Sequence, residues 1–201
     1  MLDKTTNTIT NVRSFPDHIT LASYQPKWSK SFTKEVKRLY FIIDQIIYRT
    51  NHIGSTSVPG MLANPIIDIL LEVGRNCDLE DLTYAMSMAG YQLKQLQGNP
   101  ELDLMYSKDI KEIGAKGQQF HIYIRYPGDW DEYYFCEFLR RHPEMQRQYE
   151  QLRLELRQRF MNNPEVYTNG KSEFVKKVTN LARQEFPSKF ATNVGRFFEQ
   201  R

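Results

Sequence analysis

The stretch His52-Ile53-Gly54-Ser55-Thr56-Ser57-Val58-Pro59-Gly60 gathers small residues and three hydroxyls directly after an apolar segment. A turn of this kind lets backbone N–H groups approach an anion without a Cβ in the way, and its hydroxyls add donors for phosphate oxygens. The same composition also builds ordinary turns, so phosphate binding and a plain turn both stay open on these residues alone. Two other chemistries are excluded. No Lys-Ser/Thr pair follows Gly60, so this is not a P-loop, and Ser57 is followed by Val58-Pro59-Gly60 rather than the x-Gly of a nucleophile elbow.

Asp68 is the second candidate, because it interrupts the most apolar run of the chain, Pro65-Ile66-Ile67-Asp68-Ile69-Leu70-Leu71-Glu72-Val73. A carboxylate in a strand covered on both faces is costly unless it is paired, bound to metal or placed at the sheet's edge. Alternation puts Asp68, Leu70 and Glu72 on one side of such a strand. Asp68 and Glu72 would lie about 13 Å apart along it, too far to share one metal ion. Capping a neighbouring turn or pairing with an arginine are the structural alternatives for Asp68.

The elements that must position these residues are legible in outline. Residues 1–18 read as a loose arm, followed by a short strand at Ile19–Ser23. From Pro26, the residues Trp28, Phe32, Val36, Leu39 and Ile43 recur at helical spacing. A strand over Ile46–Ile53 then runs into the small-residue turn, and 65–73 reads as a strand buried on both faces. Asp78 opens a helix with Leu79, Leu82, Met86 and Ala89 on one stripe, closed by Gly90. Strands are expected at Tyr91–Leu96, Leu102–Tyr106 and Gln119–Arg125, the last two joined as a long hairpin. From Asp131 the chain reads as helical. Pro143 opens a stripe of Met145, Tyr149, Leu152 and Leu156. Pro164 opens a segment with Phe174, Val178, Leu181 and Ala182 inward, and a short final helix would use Phe190, Val194 and Phe197. The reading is an α+β fold: an arm over 1–18, one domain over 19–186 and a helical extension over 187–201.

The order of strand, small-residue turn, a dozen residues and an acid-bearing strand resembles the nucleotidyltransferase fold, with a mixed β-sheet, packed helices and a helical C-terminal part. The words themselves resemble the GrpB family within it. Besides His52–Gly60 and Pro65–Ile69, the resemblance rests on Tyr24, Pro26 and Trp28 upstream. Downstream it rests on Phe120-His121-Ile122-Tyr123, on Phe135 to Pro143, and on Tyr167-Thr168 with Lys171. It implies that Gly54 and Ser55, with His52, Thr56 and Ser57 around them, contact the phosphates of a nucleotide or another phosphorylated small molecule. It also implies that Asp68 holds Mg2+ for nucleotidyl transfer to an acceptor, which could be a protein. Arg140, Arg141, Tyr167 and Lys171 would form a basic wall around the same cleft, or else a solvated helix face.

The chain departs from the active pattern at three places. Leu70 stands where the second acid is usual, His121 and Tyr123 where a third would be, and Asn64 where members often carry Lys after Ala63. His121 could serve as a metal ligand or general base, or simply as a structural hydrogen-bonding residue. The missing acid also leaves open a non-catalytic binding or regulatory module. GrpB-like domains occur fused to dephospho-coenzyme A kinase, which would link such a module to coenzyme A biosynthesis.

Composition bounds the rest. Of 201 residues, 40% are hydrophobic and 25% charged, with 12 Tyr, 12 Phe and 2 Trp, too aromatic for a disordered chain. No apolar run reaches the roughly 20 residues of a membrane span, and the polar start carries no signal-peptide core. Two distant cysteines propose neither a disulfide framework nor a CxxC metal site, so a cytoplasmic protein is expected. The net charge of +3 divides into −3 over residues 1–139 and +6 over 140–201. A basic region can meet nucleic acid, but no RRM, KH or zinc-finger signature supports that partner. Glu150 and Glu155 are spaced to pair with Arg153 and Arg159 along a solvated face.

Overall fold

A computed structural model describes residues 19–43, 47–97, 101–110 and 117–191. The chain order is α1 (Lys27–Ile43), β1 (Ile47–Ile53), a single 3-10 turn (Ser55–Ser57), β2 (Ile66–Val73), α2 (Leu79–Met88), β3 (Gln92–Gln97), β4 (Asp103–Ile110) and β5 (Gln118–Arg125). Four helices follow: α3 (Asp131–Arg141), α4 (Pro143–Phe160), α5 (Pro164–Gly170) and α6 (Ser172–Glu185). The five strands form one sheet in the order β1-β2-β5-β4-β3. Only β2 and β5 run parallel; the other pairs are antiparallel, so the sheet is mixed.

Alternation along β2 decides how the sheet is covered. Ile67, Ile69, Leu71 and Val73 point to one face and pack with Trp28, Leu39 and Ile43 of α1, Leu82 and Met86 of α2, and Phe120, Ile122 and Ile124 of β5. Leu70 points to the other face and joins Ile53, Val58 and Met61 beneath Tyr134, Phe135, Phe138 and Leu139 of α3, Tyr149 of α4 and Val178 and Ala182 of α6. The strand is therefore buried on both sides, as its apolar run requires. The carboxylate that shares the second face, Glu72, is wholly buried and is clamped by Arg49 at 2.6 and 2.8 Å.

Local signals account for several boundaries. The Asp78 side chain accepts from the N–H groups of Glu80 and Asp81, capping α2, and Gly90 follows the helix in the left-handed region. Asn163 caps α5 in the same way, and Pro143 and Pro164 occupy first-turn positions of their helices.

Three expectations change. Among the described residues the strand expected at Ile19–Ser23 is reduced to one antiparallel bridge, between Ala22 and Ala63, whose backbone N–H and C=O groups pair with each other. Leu181 is 38% exposed, while Val178, Thr179 and Ala182 turn inward, so the buried stripe of α6 is narrower than its apolar residues imply. Glu150 does not pair with Arg153; both side chains reach the backbone of Leu62. The arm over 1–18 lies outside the described residues, as do Val194 and Phe197 of the expected last helix. Among the described residues no helix is long and apolar enough to cross a membrane.

Candidate functional site

The parallel pairing of β2 with β5 sets Asp68 beside His121, with Asp68 Oδ1 3.4 Å from His121 Nδ1. The turn after β1 folds back onto the same carboxylate. Gly54 has a φ of +69°, and a Cβ added there would stand 2.4 Å from Asp68 Oδ2. Glycine is thus required twice, by the backbone angle and by the approach to the acid. Asp68, His121 and the backbone of Gly54 and Ser55 meet at one end of a cleft of about 470 Å³.

The other polar groups of the turn face inward to hold its shape. Thr56 is buried and its hydroxyl donates to the Ile66 carbonyl at 2.9 Å, while Ser57 Oγ donates to the Gly54 carbonyl at 2.8 Å. With its proton so placed, Thr56 Oγ1 accepts from His52 Nε2 at 3.0 Å. The His52 ring stacks on Phe32, with centroids 4.9 Å apart. Burial lowers its pKa to about 4, with Arg140 pushing the same way and Asp68 opposing. His52 is neutral near pH 7 and props the turn from behind. Arg140 acts from the outside, donating to the Ser57 carbonyl at 3.2 Å and to Ser57 Oγ at 3.0 Å. Arg141 binds Glu137 at 2.7 Å and lies over the Phe186 ring.

The sequence-derived candidates therefore divide. Gly54, Ser55, Asp68, His121, Tyr167 and Lys171 line the cleft; His52, Thr56, Ser57, Arg140 and Arg141 do not. The cleft is also lined by two acids not foreseen from the sequence, Asp103 of β4 and Glu132 of α3. Both are bound by Arg125 at 2.9 Å. Their place depends on which strand neighbours β5 and where α3 docks, which no local pattern in the chain announces.

The helical wall supplies another unforeseen group. Arg153 of α4 is 3% exposed and lines the cleft. It lies four residues after Tyr149 on the inward stripe of that helix, so an arginine inside an apolar stripe was a signal of the same kind as Asp68 in its strand. Its Nη2 donates to the Leu62 carbonyl, and Glu150 accepts from the Leu62 N–H, so α4 grips both backbone groups of one residue in the loop beyond the turn. Lys171 faces the same space. Burial lowers its pKa to about 8, the Arg153 charge adds to that, and Asp68 opposes it.

For a divalent metal the protein offers Asp68, with His121 at its side. Among the described residues there is no group of three or more His, Cys, Asp or Glu side chains arranged to hold one. Leu70, two residues along β2 from Asp68 and on the same side of the strand, is fully buried in the apolar layer. Mg2+ is commonly held by one or two carboxylates together with ligand phosphates and water, so Asp68 fits that ion only in company with a phosphorylated ligand.

Comparison with known proteins places this architecture. The family model described as "GrpB protein" matches residues 18–181. The glutamate-rich protein GrpB of Alkalihalophilus pseudofirmus is 30% identical over 166 residues, covering 81% of this chain and 94% of that protein. Among solved structures, the conserved protein GrpB from Enterococcus faecalis superposes with a TM-score of 0.68 and 27% identity, over 83% of this chain and 99% of that one. The Cid1 poly (U) polymerase aligns with a TM-score of 0.49 and 14% identity, over 74% of this chain and 48% of that one, too remote to bear on this protein.

Proposed function

The chain belongs to the GrpB family, and from that premise we propose that it binds a nucleotide or another phosphorylated ligand in the cleft, with phosphates against the Gly54–Ser55 turn. The observation that carries this reading is the convergence of the turn, Asp68 and His121, which come from three different segments, on one end of one cleft. Backbone N–H groups at Gly54 and Ser55 would meet phosphate oxygens, and Asp68 would share a bound Mg2+ with the ligand. The ion would supply charge neutralisation at the phosphates.

A catalytic extension follows from the same placement. In nucleotidyl transfer, an acceptor oxygen bonds to the α-phosphorus while the α–β anhydride bond breaks, and pyrophosphate leaves. In this reading His121, whose ring nitrogen stands 3.4 Å from Asp68, would take the acceptor's proton.

Calorimetry with a panel of nucleoside mono-, di- and triphosphates in Mg2+ tests the binding step. The expected result is at least one ligand bound with a dissociation constant below the millimolar range, weakened about tenfold or more by Ser55→Ala and by Asp68→Ala. No binding by the wild type at millimolar ligand, or binding indifferent to both substitutions, would overturn it.

Leu70 favours a second reading, a binding or regulatory module without turnover, because the apolar layer claims the position a second metal acid would need. Incorporation of label from α-labelled nucleoside triphosphates into acceptors of a cell lysate separates the two. A signal abolished by Asp68→Asn rules out the module.

A further inference from the structure

The helical wall of the cleft carries two cations to which the fold gives no carboxylate. Among the described residues neither Arg153 nor Lys171 makes an ion pair. Each lies instead on a tyrosine ring: Arg153 4.6 Å from the centroid of Tyr149, and Lys171 4.7 Å from that of Tyr167. Among the described residues the buried Nε of Arg153 has no hydrogen-bond partner. A buried guanidinium in a purely structural role ends on a carboxylate or on several carbonyls, since an unmet donor costs about 1–3 kcal/mol and more when charged. Arg153 reaches one carbonyl, that of Leu62.

The remaining acids of the cleft do not complete the pair. Asp103 and Glu132 are both engaged by Arg125, and Asp68 stands beside His121. The wall thus keeps two positive charges close enough that Arg153 helps drive the Lys171 pKa down.

We propose that Arg153 and Lys171 form a second anion subsite, separate from the Gly54–Ser55 turn, that holds a terminal phosphoryl group of the ligand by direct, metal-independent contact. The inference rests on the phosphate-binding reading of the cleft and narrows it to ligands with two or more phosphoryl groups, one for the turn and one for the wall. A dianionic phosphoryl group matches the two unpaired charges, whereas a single carboxylate would leave one of them buried and unmatched. Arginine adds a fork of donors that suits tetrahedral phosphate oxygens, and lysine a point charge beside it.

The test is calorimetry of inorganic tripolyphosphate with the full chain, with EDTA present so that no divalent metal contributes. The wild type should bind, and Arg153→Met and Lys171→Met should each weaken binding about tenfold or more, with Arg153→Lys between them and the wild type. Succinate, a dicarboxylate control, should bind at least about tenfold more weakly than tripolyphosphate. Should Arg153→Met fail to fold, Lys171→Met decides the matter. Absence of tripolyphosphate binding by the wild type, or unchanged affinity in Lys171→Met, would overturn the inference. If Mg2+-nucleotide binding depends on Ser55 and Asp68 but is indifferent to Lys171→Met and Arg153→Met, the subsite fails and the turn reading stands. If tripolyphosphate binds through Arg153 and Lys171 while no nucleotide of the panel binds, the subsite stands and the nucleotide reading fails.

Discussion

Replacing Gly54 by alanine sets a methyl carbon 2.4 Å from Asp68 Oδ2 on a backbone angle of +69°. The two penalties together should destabilise the protein by about 2–4 kcal/mol, read by chemical denaturation. Adding Asp68→Ala to that variant should recover the steric part and leave the backbone part, so the two changes should be non-additive. His52 gives a pH signature. Its pKa falls from 6.5 to about 4 on folding, so between those values the unfolded chain binds more protons. Stability is full above pH 6.5 and should drop by an amount on the order of 2 kcal/mol as pH falls toward 4. In His52→Gln that acid limb should flatten, with denaturant midpoints measured at pH 7 and pH 4.5 as the check. Lys171 works at the other end of the scale. Below about pH 8 both states hold its proton and the folded state bears a buried charge; from about 8 to 10.5 only the unfolded state keeps it, and stability rises. Lys171→Met should therefore raise stability at pH 7, on the order of 1–3 kcal/mol, and remove that alkaline rise. A binding residue that the apo protein is better off without is the expected mark of a site, and an unchanged or lower midpoint would point to a structural lysine.

At the scale of the element, β2 explains both what the chain reveals and what it conceals. An acid in the middle of the most apolar run stands out, and the turn before it is dense in small residues, so Asp68 and Gly54–Ser55 were legible without coordinates. The same strand shows why position 70 does not accept an acid: Leu70 is fully buried under α3, α4 and α6. Leu70→Asp should cost about 3–5 kcal/mol, measured by chemical denaturation. The hydroxyls of the turn were legible as a cluster but not as to direction. Thr56 and Ser57 point back to the Ile66 and Gly54 carbonyls, a choice set by the single 3-10 turn and its packing on β2 rather than by residue type. Arg140 misled for a related reason: it ends α3 on the outer side of that turn, near the cleft in sequence logic and behind it in space. On α4, Arg153 was hidden by its i+3 spacing from Glu150, which imitates a surface pair although both side chains go to Leu62.

Across the whole molecule, the excess of +6 in residues 140–201 is not one basic surface. Arg183 binds Asp129 and Asp131 and ties α6 to the start of α3, and Lys189 binds Glu137. Arg153 and Lys171 lie in the cleft, so part of the basic charge that the sequence presents as a patch is internal. A polyphosphate should then stabilise the whole fold by mass action. At a hundred times its dissociation constant the gain is about 2.7 kcal/mol, or roughly 5–10 °C in Tm for a chain of this length. Because Lys171 loses its proton near pH 8 in the absence of ligand, that shift should shrink at pH 9.5 relative to pH 7. A thermal melt at both pH values, with and without tripolyphosphate, checks it.

The double grip on Leu62 has a further consequence. Arg153 lines the cleft and donates to the Leu62 carbonyl, and Leu62 lies in the same connection between β1 and β2 as the Gly54–Ser57 turn. An anion bound by Arg153 would compete with that bond, so the loop that carries the turn would bear part of the cost. Any coupling carried by that loop would be reciprocal: the factor by which an anion at Arg153 changed affinity at the turn would equal the factor in the other direction.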